Sequence, residues 1–152
     1  MSGCIGLLIN KLGFYLEFYE MHLKNSGSEV QVVKDEETER PIPSAWRLIF
    51  REVVKAFVHH DYHVSSGVPG VAPISDDTAS QIQNYIKSYG EILIELPEES
   101  WDSSVCIWMG NRWDVLIDLW TLSEGRSDLV LSAHVSESDS GFVFHIYMVY
   151  VP

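Results

Sequence analysis

The stretch "CIWMGNRWDVLIDLWT", residues 106–121, predicts two antiparallel strands joined by a tight hairpin turn. Gly110 and Asn111 are typical of a two-residue hairpin turn. The turn places Met109 opposite Arg112, and this pairing fixes the register of the residues on either side. The pairs that follow are Trp108 with Trp113, Ile107 with Asp114 and Cys106 with Val115.

The second strand of this hairpin has two faces of different chemistry. Every second residue from Trp113 to Leu119 is large and apolar, which predicts that this face packs on the core. The opposite face carries Asp114, Asp118 and Trp120. Because carboxylates are costly to bury without partners, this outer face is expected to meet solvent or a binding partner.

After Gly90, short apolar runs alternate with turn residues, a pattern that predicts five strands. The expected strands are residues 92–96, 103–109, 112–121, 128–136 and 142–151. The alternation of side chains along a strand then assigns the last two strands to two faces. The outer face receives Val130, Ser132, His134, Ser136, Val143, His145, Tyr147 and Val149, and the core face receives Leu129, Leu131, Ala133, Val135, Phe144, Ile146 and Met148.

Two amphipathic helices are predicted ahead of the strands. Apolar residues from Trp46 to Val58 recur every three or four positions, and Ser44 is the expected N-cap. The second helix is expected to start after Ser75 as its cap and to end at Gly90. Helices followed by strands indicate an α+β fold, in which two helices cover one face of a five-stranded antiparallel β-meander.

The N-terminal region reads as an attachment to this domain. Residues 7–23 have the spacing of an amphipathic helix, and the charged segment that follows is typical of a linker. We therefore expect a helix and linker over residues 1–41 and a single α+β domain over residues 42–152. The helical extension is expected either to lie across the outer face of its own sheet or to associate with a second copy as a homodimer.

The charge of the chain bears on its partners. There are 22 acidic and ten basic residues, a formal charge of −12, and residues 56–152 alone carry fourteen acidic residues against three basic ones. Such a balance disfavours nucleic acid and anionic membranes as partners and favours a basic protein.

The sequence also bears on compartment. Lys11 and Glu17 interrupt the apolar N-terminus before it reaches the length of a membrane span. Cys4 and Cys106 lie in unrelated contexts and suggest no disulfide framework, so a cytoplasmic protein is expected.

Few residues have the spacing of a catalytic or metal site. His59 and His63 lie four residues apart, but no further ligand pattern accompanies them, and we expect no metal or cofactor. Cys106 is expected to serve as a small core residue. One alternative to a binding protein is a small enzyme or ligand-binding domain that uses His134, His145 and Asp118 as acid–base groups. Another is a structural module that self-associates through its N-terminal helix.

Four blocks of the sequence carry a resemblance to known proteins: "SYGEILIELPEESW", "IWMGNRWDVLIDLWT", "EGRSDLVL" and the terminal "VYVP". Over residues 43–152 the chain resembles a family of small acidic bacterial domains without assigned chemistry. In size, charge and lack of enzyme motifs it is also similar to the immunity proteins of bacterial toxin systems, including contact-dependent inhibition. That resemblance implies tight binding to a cognate toxin domain, often a basic nuclease.

The leading hypothesis is therefore a non-enzymatic acidic protein that binds and neutralises a basic toxin domain. Carboxylates would meet lysine or arginine of the partner, and aromatic rings would supply contact area. The residues expected to contact the partner are Asp114, Asp118, Trp120, Asp128, His134, His145 and Tyr147.

Overall fold

The computed structural model describes residues 28–152, so the helix predicted over residues 7–23 lies outside the described part. Gln31–Pro152 forms one compact unit. Its elements are two α-helices, a 3₁₀ helix and a sheet whose six strands pair antiparallel. They run in the order β1 (Arg40–Pro41), α1 (Ser44–Val58), α2 (Asp76–Tyr89), β2 (Leu93–Ile94), the 3₁₀ helix (Glu98–Asp102), β3 (Val105–Trp108), β4 (Trp113–Thr121), β5 (Gly125–Ser138) and β6 (Gly141–Tyr150). The predicted α+β class is confirmed.

The hairpin between β3 and β4 forms in the predicted register. Trp108 pairs with Trp113, and the Met109 N–H donates to the carbonyl oxygen of Arg112 at 2.7 Å. Gly110 takes a φ of 93°, which glycine adopts without the steric cost that a side chain would add. The turn residues therefore determine which face each residue of β4 presents.

The strands do not form a simple five-stranded meander. β3 pairs with the first half of β4, and β2 pairs with its end, where Leu93 lies opposite Thr121. β2 and β3 thus follow one edge of β4 in the same direction, like one strand interrupted by the 3₁₀ helix. On the far edge of β3, the segment predicted as a linker contributes β1, with Arg40 opposite Cys106. The sequence pattern missed β1 because two residues are too short to show alternation.

Both helices start and end close to the predicted positions. The Ser75 hydroxyl accepts a hydrogen bond from the N–H of Thr78 at 3.2 Å, and Gly90 ends α2 in the left-handed conformation. α1 begins at Ser44 itself and has Pro43 at its N-cap, so the assignment of Ser44 as the cap was wrong by one position. Proline fits beside a helix N-terminus because its missing N–H has no helical acceptor there.

One hydrophobic core joins the apolar sides of the helices to the inner face of the sheet. Trp46 of α1 packs edge-to-face on Trp113 of β4, with ring centroids 5.3 Å apart, and on Phe144 of β6 at 6.0 Å. Edge-to-face contacts suit aromatic rings because the positive edge of one ring meets the negative face of the other. The inner-face residues of β4 are at most 1% exposed, as their spacing predicts.

A β-bulge in β6 changes the faces of two residues. Ser132 pairs with Met148, while the next residue, Ala133, pairs with Ile146, so Tyr147 is left without a partner on β5. An extra residue reverses the alternation beyond it. Met148 therefore lies opposite the outer-face residue Ser132, and Val149 is fully buried, the reverse of the prediction for both residues.

The edge of β6 is covered by two other parts of the chain. The loop before α2 bonds to Phe144, whose N–H donates to the Gly70 carbonyl at 2.8 Å. Further along, the Gln81 side chain donates to the Val149 carbonyl at 2.7 Å and accepts from its N–H at 3.2 Å. These contacts occupy backbone groups that would otherwise be open to an added strand.

Candidate functional site

The outer face of the sheet brings together five polar and aromatic residues from its last three strands. Asp114 of β4 lies opposite His134 of β5, and His134 lies opposite His145 of β6. Arg112 precedes Asp114 at the start of β4, and Tyr147 stacks on His134. We call these residues, Arg112, Asp114, His134, His145 and Tyr147, the outer-face cluster.

Contacts within the outer-face cluster centre on Asp114 and His134. The Arg112 Nε donates to Asp114 Oδ1 at 3.1 Å, and His134 Nε2 lies 3.6 Å from the same oxygen. The rings of His134 and Tyr147 are nearly parallel, at 22°, with centroids 5.2 Å apart. The strand pairing fixes the backbone positions of Asp114, His134 and His145 relative to one another.

The outer-face cluster keeps part of its surface open. Tyr147 is 54% exposed, and the side chain of Asp114 is 36% exposed. Tyrosine is enriched in protein interfaces, and charged groups such as this carboxylate are more typical of their polar rim. The carboxylate can accept hydrogen bonds from a lysine or arginine, and the ring offers contact area at low entropic cost.

His134 titrates below its ordinary range in this setting. Burial lowers the pKa of His134, and the charges of Arg112 and His145 act in the same direction, against the opposing effect of Asp114. The neutral ring is therefore favoured in the folded protein. The stability that the neutral His134 ring contributes is fully present above about pH 6.5, the pKa of histidine in the unfolded chain. It is lost as the pH falls through the lower pKa that His134 has in the folded protein. We expect an NMR titration of the His134 ring to give a midpoint below about 6.5.

A matched pair of arginine variants tests the cause of this shift. Arg112→Gln should raise the pKa of His134 because it removes a nearby positive charge. Arg126→Gln, which removes an exposed arginine at the other end of β4 and β5, should leave it unchanged. A midpoint above the ordinary value, or equal responses to the two variants, contradicts this electrostatic account.

Asp118 lies away from the outer-face cluster. It is opposite Val130, four residues along β4 from Asp114, and its carboxylate accepts a hydrogen bond from the Ser103 hydroxyl at 2.5 Å. Four residues of strand span roughly 13 Å, so Asp118 cannot orient His134. The carboxylate beside His134 is Asp114, and the acid–base grouping of His134, His145 and Asp118 considered from the sequence is not assembled.

The backbone of Asp118 anchors the 3₁₀ helix to the sheet. Its N–H donates to the Ser104 hydroxyl at 2.9 Å, and its carbonyl accepts from the Ser100 hydroxyl at the same distance. Ser100 and Ser104 are almost completely buried. Asp118 therefore has a clear structural role, and its predicted contact with a partner stays a prediction.

Trp120 and Asp128 also lie outside the outer-face cluster. Trp120 is half-buried and packs against the hydrophobic core. It pairs with Arg126 of the neighbouring strand β5. Asp128 is exposed, and its backbone N–H donates to the Tyr89 hydroxyl at the end of α2. These two predicted contact residues thus occupy different surroundings from Asp114 and His134.

Three further residues were considered from the sequence: His59 and His63 as metal ligands, and Cys106 as a core residue. His59 follows the end of α1, whereas His63 Nε2 lies 2.8 Å from Asp76 Oδ1, and no group of three or more metal-ligating residues occurs within residues 28–152. Cys106 is buried as predicted, and burial raises the pKa of its thiol to about 11. The thiol is therefore protonated at neutral pH and is a poor nucleophile.

The sequence placed Arg112 on the outer face but did not include it among the residues expected to contact a partner. Its position on the outer face followed from the hairpin turn, and its charge beside Asp114 was the available signal. The contact between Tyr147 and His134 was less accessible, because it depends on the bulge in β6. Alternation along a strand gives no sign of where a bulge will occur.

A second group of charged and aromatic residues lies at the 3₁₀ helix. The guanidinium groups of Arg47 and Arg51 lie over the ring of the buried Trp101, at 5.6 and 5.7 Å from its centroid. Arg51 also pairs with Glu98 at 2.7 Å. These contacts fasten the 3₁₀ helix to α1, so we assign them a structural role.

Two cavities on the described surface are lined by residues outside the outer-face cluster. One lies beside α2 and the end of β6, and the other lies between the ends of the two helices. Within residues 28–152, no helix has the length and apolar character needed to cross a membrane.

Comparison with known proteins places the chain in a family defined by sequence. No curated protein and no solved structure matches it. Residues 54–152, well over half of the chain, match the family model described as a domain of unknown function, DUF7668. The matched region starts within α1 and contains α2, the 3₁₀ helix and β2 to β6, including the whole outer-face cluster. The protein therefore belongs to the DUF7668 family.

Proposed function

We propose that this protein is a non-enzymatic binding protein that neutralises a basic toxin domain, in the manner of a bacterial immunity protein. The outer-face cluster is the centre of the proposed contact surface, and the toxin's active site is the surface that it covers. A nuclease is the class of toxin that suits this proposal best, because a site that binds nucleic acid is basic.

The observation that carries this proposal is the oriented pairing of Asp114 and His134 beside the exposed ring of Tyr147. A basic side chain of the partner can bond to the Asp114 carboxylate while its neighbours pack on Tyr147. Such an arrangement of an ion pair next to an aromatic ring is typical of the residues that dominate binding energy.

The charge of the domain supports the same proposal. Residues 56–152 carry an excess of eleven negative charges, which speeds the encounter with a basic partner and repels nucleic acid. The cytoplasm, where an immunity protein meets its toxin, is the proposed compartment.

A pull-down with the full-length chain from its native host tests this function. We expect a single basic polypeptide, retained in near-stoichiometric amount at low salt and reduced at about 0.5 M salt, where electrostatic attraction is screened. The purified partner should have an enzymatic activity that is lost when one equivalent of this protein is added.

Two results would contradict the proposal. One is elution of the protein alone at both salt concentrations. The other is a partner that keeps its full activity in the complex, because covering the active site is the proposed mechanism of neutralisation.

A further inference from the structure

A cavity of about 560 Å³ lies between the C-terminal ends of α1 and α2 and the start of β2. Its apolar lining includes the half-buried Val58 and Ile92, which is 66% exposed, above the buried side chains of Phe57, Ile86 and Leu93. Cavities that bind small molecules have volumes of roughly 300–1,000 Å³ and are mostly apolar with a few polar groups. The size and lining of this cavity therefore fit a small organic ligand.

Polar groups converge on the same cavity. His60 Nδ1 lies 3.1 Å from the Tyr62 hydroxyl, and the Tyr62 ring stacks on Phe57 with centroids 6.0 Å apart. His60 takes a φ of 61°, in the left-handed region that non-glycine residues rarely occupy.

Lys87 gives the cavity a local positive charge in an acidic domain. It is the single lysine or arginine between residues 56 and 111, and it makes no ion pair within the described residues. Glu91 also lines the cavity, and its carboxylate accepts a hydrogen bond from the Ser123 hydroxyl at 2.5 Å. Lys87 is the one lysine or arginine in the described lining, so it is the group that can pair with an anionic ligand.

We propose that this cavity binds a small amphipathic carboxylate. The apolar body of the ligand packs on Val58 and Ile92, and its carboxylate pairs with Lys87. This inference is independent of the proposed toxin neutralisation, because the cavity shares no residue with the outer-face cluster.

Three probes with the same aromatic body separate charge from apolar contact: 1-naphthaleneacetate, 1-naphthaleneacetamide and 1-naphthylmethylamine. In amide NMR titrations of the full-length protein, we expect saturable shifts at the residues that line the cavity. The carboxylate should bind about tenfold more tightly than the neutral amide, and the amine should bind most weakly.

Variants of Lys87 make the proposal falsifiable. Lys87→Met should reduce the affinity for the carboxylate to that for the amide, and Lys87→Glu should reverse the preference in favour of the amine. Lys55→Met is the matched control, since Lys55 lies in the last turn of α1 as Lys87 does in α2 and does not line the cavity. Equal affinities for the three probes, shifts confined to another surface, or equal effects of Lys87→Met and Lys55→Met would overturn the proposal.

Discussion

Replacing Trp113 by alanine should lower the free energy of unfolding by about 3 to 5 kcal/mol. Its side chain is 1% exposed and contacts the rings of Trp46 and Trp108 at centroid distances of 5.3 and 4.4 Å. Its indole N–H also donates to the Val33 carbonyl at 3.0 Å. The variant leaves a cavity at the centre of the core, and urea denaturation followed by far-ultraviolet circular dichroism measures the loss.

Two milder variants serve as controls for this prediction. Trp113→Phe keeps an aromatic ring and removes the hydrogen bond to Val33, so it should cost about 1 to 2 kcal/mol. Trp108→Ala should lower the free energy of unfolding by less than Trp113→Ala does, because Trp108 is only half-buried at the edge of the core. A loss below about 1 kcal/mol for Trp113→Ala would show that this residue does not organise the core as the packing implies.

Replacing Asp114 by lysine should slow association with the proposed basic partner by about tenfold at low salt. The variant places a positive charge beside Arg112 and His134 and removes the carboxylate proposed to meet the partner. The difference from the wild type should shrink as salt screens the interaction. Stopped-flow association kinetics over a range of salt concentrations measure both effects. Asp118 is left unchanged, because its carboxylate bonds to Ser103 within the fold.

Glu52→Lys is the matched control for Asp114→Lys. Glu52 is exposed on α1, away from the sheet face, and its reversal changes the net charge by the same amount. We expect association to slow only modestly in this variant. If both reversals slow association equally, the effect comes from net charge, and the outer-face cluster has no special part in binding.

The sequence was most informative where neighbouring residues determine the structure. The turn at Gly110 and Asn111 set the register between β3 and β4, and the register placed Asp114 on the outer face. Alternation along β4 identified its buried residues, and Ser75 and Gly90 marked the ends of α2. Each of these features depends on contacts within a few residues along the chain.

Contacts between distant segments could not be predicted in the same way. The addition of β1 to the sheet depends on backbone pairing at the edge of β3, and a two-residue strand has no sequence signature. The bulge that leaves Tyr147 unpaired depends on how β6 fits β5, so the faces of Met148 and Val149 were predicted wrongly. The sequence between β2 and β3 also gave no sign that Ser100 and Ser104 would bond to the backbone of Asp118.

For this protein, the sequence by itself determined the α+β class, the hairpin register and the acidic balance, because turn chemistry, alternation and charge are local properties. The tertiary structure decided which polar residues meet. It placed Asp114, and not Asp118, beside His134, and it stacked Tyr147 on His134. It also formed the cavity at Lys87 from the ends of two helices far apart in sequence, since such a space exists only when the helices pack.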